Sequence, residues 1–325
     1  MQTGRVSALD TVAVDLEPYR HELTGFCYRM LGTLAEADDA VQETFINALR
    51  SYDRFEGRSS LRTWLYRIAR NVCLDMHRSP QRRARPMELG RSTRFADIVS
   101  VEPSPEDKWL QPAPDHRVID LGGDPAEVAQ LRESVRLAFV AALQHLPERQ
   151  RCALILADVL RWSAAEIAEL LDCSVAAVNS ALQRGRATLQ ARQGEPLDPV
   201  TDSAQAALLE RYVAAFEAYD MEALVATMRD DVVMSMPPFD LWLEGTSDIV
   251  AFMRGPGAAC EGSRLIPVAL NGTAGFGSYK PVAPGVWEPW GVQVIEVTGG
   301  LITGFHHFIY PERFTECGLP DRIVE

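Results

Sequence analysis

No run of roughly 18 apolar residues occurs anywhere in the chain, which excludes an ordinary membrane-spanning helix. The six cysteines (Cys27, Cys73, Cys152, Cys173, Cys260, Cys317) are scattered, and no Cys-x-x-Cys pair exists. That argues against a zinc knuckle or a disulfide scaffold and fits a reducing compartment. Lysine is almost absent, with only Lys108 and Lys280 in the chain. The opening residues hold no charged stretch followed by an apolar core, so no secretory leader is expected and the expected location is the cytoplasm. No paired carboxylates, metal-ligand spacing or nucleophile motif stands out. No catalytic residue, cofactor or metal is therefore expected.

What is present is ordinary globular material. The 325 residues suggest two or three domains, and 47% hydrophobic with 24% charged residues excludes wholesale disorder. The net charge of −13 looks wrong for a nucleic-acid binder, but it is unevenly spread. Residues 1–85 carry 13 basic against 11 acidic side chains, residues 86–133 carry 5 against 10, residues 134–199 carry 7 against 7, and residues 200–325 carry 7 against 17. Between Arg58 and Arg85 stand eight arginines and one acid, Asp75. Such a patch suggests local contact with an anion rather than generic phosphate affinity.

Periodicity divides the chain further. Ala40, Val41, Phe45, Ala48 and Leu49 share one helical face, with Asp38, Asp39, Gln42 and Glu43 mostly off it. The stretch SYDRFEGRSS then reads as a polar loop. Leu61, Trp64, Leu65, Ile68, Ala69, Val72 and Met76 follow at helical spacing, a strong amphipathic signal that assigns Trp64 to the core. Thr63, Arg67 and Arg70 lie opposite that stripe, and Arg62 lies on its flank. Residues 86–133 hold six prolines and excess acid, and read as an extended linker. Residues 134–192 read as all helix. Ser163 to Glu166 is a capping box, and after a break at Asp172-Cys173 comes Ser174 as an N-cap. The next helix keeps Val175, Val178, Leu182 and Leu189 inward and turns Asn179, Ser180, Gln183, Arg184 and Arg186 outward, a helix-turn-helix pattern. From about Asp202 the chain opens with helices and becomes strand-like: RLIPVAL, GVQVIEV, then LITGFHHFIY after Gly299-Gly300.

Each motif has a plain alternative. Outward Asn, Ser and Arg on a second helix can reach base edges and phosphates, but a helical hairpin with a solvated face looks the same. The arginine stretch offers backbone contacts, with Tyr52 and Phe55 available to stack on a separated strand; a solvated face over core aromatics fits equally. Asp38, Asp39, Gln42 and Glu43 are either a docking face or simply solvated. His306-His307 lies on a strand, where alternation turns one inward and one outward; the inward one is an acid–base group or a hydrogen-bonded core histidine.

The order of blocks resolves several of these choices. EADDAVQETFINALRSYDRFEGRSSLRTWLYRIARNVCLDMHRS resembles the second conserved region of extracytoplasmic-function sigma factors, and LQHLPERQRCALILADVLRWSAAEIAELLDCSVAAVNSALQRGRATLQ resembles their fourth. The remainder resembles a SnoaL-like polyketide-cyclase domain, and MPPFDLWLEG is similar to a motif of sigma factors that carry one. The resemblance implies a multi-domain chain with two all-α domains and a C-terminal α+β cone-shaped domain: region 2 over 14–85, an acidic linker over 86–133, region 4 over 134–195 and the SnoaL-like domain over 202–315. It implies no catalysis, and as partners the RNA polymerase core (β′ clamp helices and β flap) and promoter DNA.

It also implies roles. Asp38, Asp39, Gln42 and Glu43 would dock on the clamp helices. The loop with Tyr52, Phe55 and Arg58 would capture a flipped base of the −10 element, beside Arg62, Arg67, Arg70 and Asn71. Ser174, Val175, Asn179, Ser180, Arg184 and Arg186 would serve the −35 element. Many family members carry basic residues where this chain has Asn179 and Ala181. In the last domain Phe239, Trp242, Trp287, Trp290 and His306 would line a pocket for a small-molecule ligand and so regulate the factor. A cyclase or isomerase with a DNA-binding head, and a ligand-sensing repressor acting without polymerase, are the competing readings. A clamp-docking face and a strand-capture loop argue against both.

Overall fold

The computed structural model describes residues 16–57, 59–78, 94–97, 109–192, 196–199 and 203–325. They form two compact units, one of residues 16–78 with 115–192 and one of residues 94–97 and 109–114 with 196–325.

The first unit is helical. Helix α1 (Arg20–Leu31) stops at Gly32, whose φ of 89° gives the left-handed C-cap that glycine adopts without a Cβ clash. Helix α2 (Leu34–Ser51) starts at Thr33, whose side chain accepts from the Glu36 amide. Helix α3 (Leu61–Arg78) packs on both, burying Leu65, Tyr66, Ala69 and Cys73 as its apolar spacing predicts. Five more helices follow: α4 (Asp115–Val118), α5 (Pro125–Glu133), α6 (Leu137–Gln144), α7 (Glu148–Leu154) and α8 (Ala164–Leu171). The Ser163–Glu166 capping box at the start of α8 forms in both directions. Asp172 turns the chain at φ 50°, and α9 (Val175–Gln190) begins at Ser174, whose hydroxyl accepts from the Ala177 amide.

The two halves of this unit are one packed body. Arg29 of α1 is fully buried and donates to the carbonyl of Gly25 at 2.6 Å, to the Ser134 hydroxyl at 2.8 Å and to the Ser134 carbonyl at 3.2 Å. Burial alone pulls its guanidinium down to about 10. In return Arg151 of α7 reaches the Met30 carbonyl at the end of α1, along with the Gln144 and Leu146 carbonyls. Gly25 makes room for this arrangement: a Cβ there would lie 2.7 Å from the Val118 carbonyl oxygen and 2.9 Å from the Arg29 guanidinium. The helical parts expected as separate domains therefore share a buried seam.

The second unit is a mixed sheet with helices α10 (Ser203–Glu217), α11 (Met221–Val225) and α12 (Thr246–Arg254). Its strands are β1 (Met228–Ser235), β2 (Trp242–Glu244), β3 (Arg264–Leu270), β4 (Thr273–Ala283), β5 (Val286–Thr298), β6 (Leu301–Phe308) and β7 (Ile323–Val324). They run in the order β2-β1-β6-β5-β4-β3, with β7 on β5; β1 and β6 are parallel and the other pairs antiparallel. The helices and one sheet face enclose a core that includes Leu208, Tyr212, Phe216, Met234, Phe252, Phe276 and Phe305.

The described part of the expected linker is built into structure. Helices α4 and α5 belong to the first unit. Residues Trp109, Leu110, Gln111 and Ala113 are buried in the second, where Ala113 exchanges backbone and side-chain hydrogen bonds with Asn271 (3.0 and 2.9 Å) and Pro114 bridges Leu270. Phe95 packs edge-on against Phe252 of α12 at 6.2 Å. The extended reading fails here because backbone pairing and single aromatic anchors leave no periodicity to detect. The remainder of the linker lies outside the described residues, as do Arg82, Arg83 and Arg85 just ahead of it.

Candidate functional site

On α2, Asp39, Gln42 and Glu43 are exposed side by side. Asp38 is separate from them: Arg117 donates to both its carboxylate oxygens, at 2.7 and 3.0 Å. The pair leaves the Asp38 side chain 43% exposed but gives it a partner that, among the described residues, Asp39, Gln42 and Glu43 are not given.

The loop after α2 carries an aromatic trio. Phe55 lies 4.9 Å from Trp64, and Tyr52 lies 6.3 Å from both. Trp64 is thus half-buried under the loop and not in the core, contrary to the helical-stripe reading, because the loop folds back over that end of α3. Arg58 lies outside the described residues.

Arg62, Arg67 and Arg70 of α3 are already engaged. Arg62 pairs with Glu22 at 2.8 Å and lies over the Tyr66 and Trp162 rings at 5.2 and 5.3 Å. Trp162, just ahead of α8, meets Tyr66 of α3 at 5.1 Å and is 7% exposed. Arg67 donates to the Glu169 carbonyl of α8 at 3.1 Å. Arg70 donates to the Asn71 side chain at 3.1 Å, and Asn71 is exposed. Helix α8 therefore covers part of the face that sequence assigned to DNA.

On α9, Ser174, Asn179, Arg184 and Arg186 are exposed and Ser180 half-buried. Val175 is exposed too, at 44%, although its apolar character marked it as inward; it falls on the first turn, ahead of the stripe that Val178, Leu182 and Leu189 bury. Arg184 donates to the Ser180 hydroxyl at 2.7 Å. Arg186 makes a two-pronged pair with Asp158, at 2.5 and 3.0 Å.

The second unit has a cavity of ≈ 170 Å³ among α12, β1, β4 and β6. Of the five side chains expected there, Phe239 and Trp290 line it. The other three do not. The Trp287 indole donates to the Gly262 carbonyl at 2.8 Å, Trp242 packs beside His306 at 6.3 Å, and His306 bonds the Ser235 hydroxyl at 2.7 Å. The two rings sit on opposite faces of the strand but neither is outward: His306 sits on the face shared with Trp242, and His307, not His306, faces the cavity. Both are buried because the sheet is covered on both faces at this point. His307 touches Phe305 and Trp290, and among the described residues neither ring nitrogen has a hydrogen-bond partner. Burial first, then the nearby His306 and Lys280, push it down to about 3, so it is neutral at physiological pH. Lys280 holds its ammonium 4.0 Å over the Trp290 ring. Sequence reading missed Lys280; its only signal was the scarcity of lysine.

An aromatic loop beside an arginine-bearing helix, a helix-turn-helix and a mixed-sheet α+β unit together are the parts of a transcription initiation factor of the sigma class. Residues 16–83 match Sigma-70 region 2, residues 136–189 match Sigma-70 region 4, and residues 209–305 match the SnoaL-like domain family. The chain is 42% identical to the ECF RNA polymerase sigma factor SigG of Mycobacterium tuberculosis, over 94% of this chain and 83% of that one. It is 31% identical to the RNA polymerase sigma-H factor of Pseudomonas aeruginosa, over 57% of this chain and 86% of that protein. The crystal structure of the M. tuberculosis sigma factor SigJ shares the fold, with TM-score 0.61, 23% identity, and coverage of 94% of this chain and 99% of that one. The chain belongs to the ECF RNA polymerase sigma factors and carries a C-terminal SnoaL-like domain.

Proposed function

We propose that the protein docks on core RNA polymerase through Asp39, Gln42 and Glu43, opens the −10 element with the Tyr52–Phe55 loop and the α3 arginines, and reads the −35 element with α9. In this reading the SnoaL-like domain regulates and does not catalyse. The observation that carries the reading is the engagement of Arg62 and Arg67 by groups of the other helical half. Promoter elements centred near −10 and −35 are about 25 base pairs apart, or roughly 85 Å at about 3.4 Å per pair. Helices α3 and α8 touch, so the halves must separate before both elements are bound. Unaided, the protein is closed to DNA, and polymerase binding supplies the open form.

The linker gives the SnoaL-like domain its lever. Phe95 and Trp109–Pro114 are pinned to that domain, and pinning shortens a tether that otherwise extends by roughly 3.3–3.6 Å per residue. Releasing it with Phe95→Ala and Asn271→Ala in the full chain is expected to raise run-off transcription at limiting protein concentration. Equal output from variant and wild type would refute regulation through the linker.

A further inference from the structure

The SnoaL-like cavity has a composition that specifies a ligand. Its volume, ≈ 170 Å³, suits one six-membered ring, since an apolar cavity of about 150 Å³ takes up benzene. Met234, Met236, Phe239 and Phe252 provide soft, polarisable walls of the kind that pack against an aromatic face. Two polar side chains stand out against this lining. The half-buried Lys280 ammonium has no carboxylate within 4 Å among the described residues and lies over the Trp290 ring. Buried His307 presents an N–H and a lone pair that no described residue receives or fills. A buried polar group left without a partner is unfavourable, and a correctly placed ligand group would recover that loss.

We propose that this cavity binds a single-ring aromatic carboxylate, the ring between the methionines and phenylalanines and the carboxylate accepting from Lys280 and His307. An amine would meet the lysine charge, a neutral ring would leave both polar groups unanswered, and a fused polycycle exceeds the space. The site also touches the tether. Phe252 lines the cavity and receives Phe95, and a Cβ on Gly255 beside it would lie 3.4 Å from the Phe95 ring. A ring seated in the cavity presses on the wall that holds the linker. That consequence rests on the regulatory reading above, whereas the binding itself rests on the cavity alone.

Isothermal titration of the full chain with benzoate and with benzyl alcohol separates the two. The expected result is saturable binding of benzoate, roughly 10–100-fold tighter than the alcohol, as a charge-assisted bond implies. Lys280→Met is expected to abolish that preference and Lys280→Arg to retain it. No saturable heat with benzoate, equal affinity for the two probes, or a preference that survives Lys280→Met would overturn the assignment. Benzoate that binds but leaves run-off transcription unchanged would uphold the site and overturn the regulatory reading.

Discussion

Replacing Trp162 by alanine should open the helical unit. The indole packs on Tyr66 at 5.1 Å and under the Arg62 guanidinium at 5.3 Å, both from the opposite half. An aromatic pair contributes about 0.5–1.5 kcal/mol beyond burial, and a cation–π contact about 0.5–2 kcal/mol. Together they favour closure by about 1–3.5 kcal/mol, so their loss shifts the closed-to-open ratio by roughly 5- to 400-fold. Affinity for a ligand of the open form rises in proportion to its population until that form dominates. Two measurements report this: energy transfer between fluorophores incorporated at exposed Asp53 and Gln190, and binding of a single-stranded −10 oligonucleotide by free protein. The alanine variant should show longer distances and tighter strand binding, with Trp162→Phe between it and wild type. Circular dichroism separates opening from unfolding. A variant with native helicity but unchanged distances and strand affinity would refute the argument that this contact holds the halves together.

Further outcomes are expected. Asp39→Arg with Glu43→Arg should abolish assembly with core polymerase in a pull-down while leaving the melting temperature within a few degrees, because both side chains are exposed; retained assembly would remove the docking face. Gly25→Ala should lower stability by about 1–3 kcal/mol in chemical denaturation, since its Cβ must displace a backbone carbonyl and the buried Arg29; an unchanged midpoint would mean that the seam is softer than its distances suggest.

Much of this was legible in the sequence where a regular pattern meets one buried face. The stripe from Leu61 to Met76, the Ser163–Glu166 cap and the β3, β5 and β6 strands were all readable. Strand β4 was not. Gly275 and Gly277 dilute its strand character, yet they are required there: a Cβ on either would lie 2.5 Å from the Gln293 carbonyl or the Leu319 side chain. Trp109–Pro114 was hidden because its partner, Asn271, is a turn residue some 158 positions away. The cavity was read as a belt of large aromatics. Trp242 and Trp287 instead serve packing and a backbone hydrogen bond, while a lysine, a histidine and methionines line the space. Asp38 and Arg186 show a further limit: an exposed charge on a helix face says nothing of a partner distant in sequence, such as Arg117 or Asp158.

The central claim is that this chain directs polymerase to a two-part promoter through two helical faces that it keeps closed when alone. Run-off transcription with purified core polymerase, on a template from the promoter of its own gene, tests it most directly. The account predicts transcripts only when chain and core are combined, a loss on scrambling either element, and a matching loss with Asn179→Ala and Arg184→Ala that disappears on the scrambled −35 template. Tight, sequence-specific binding of the duplex by the free chain, with no transcript from the combination, would contradict it.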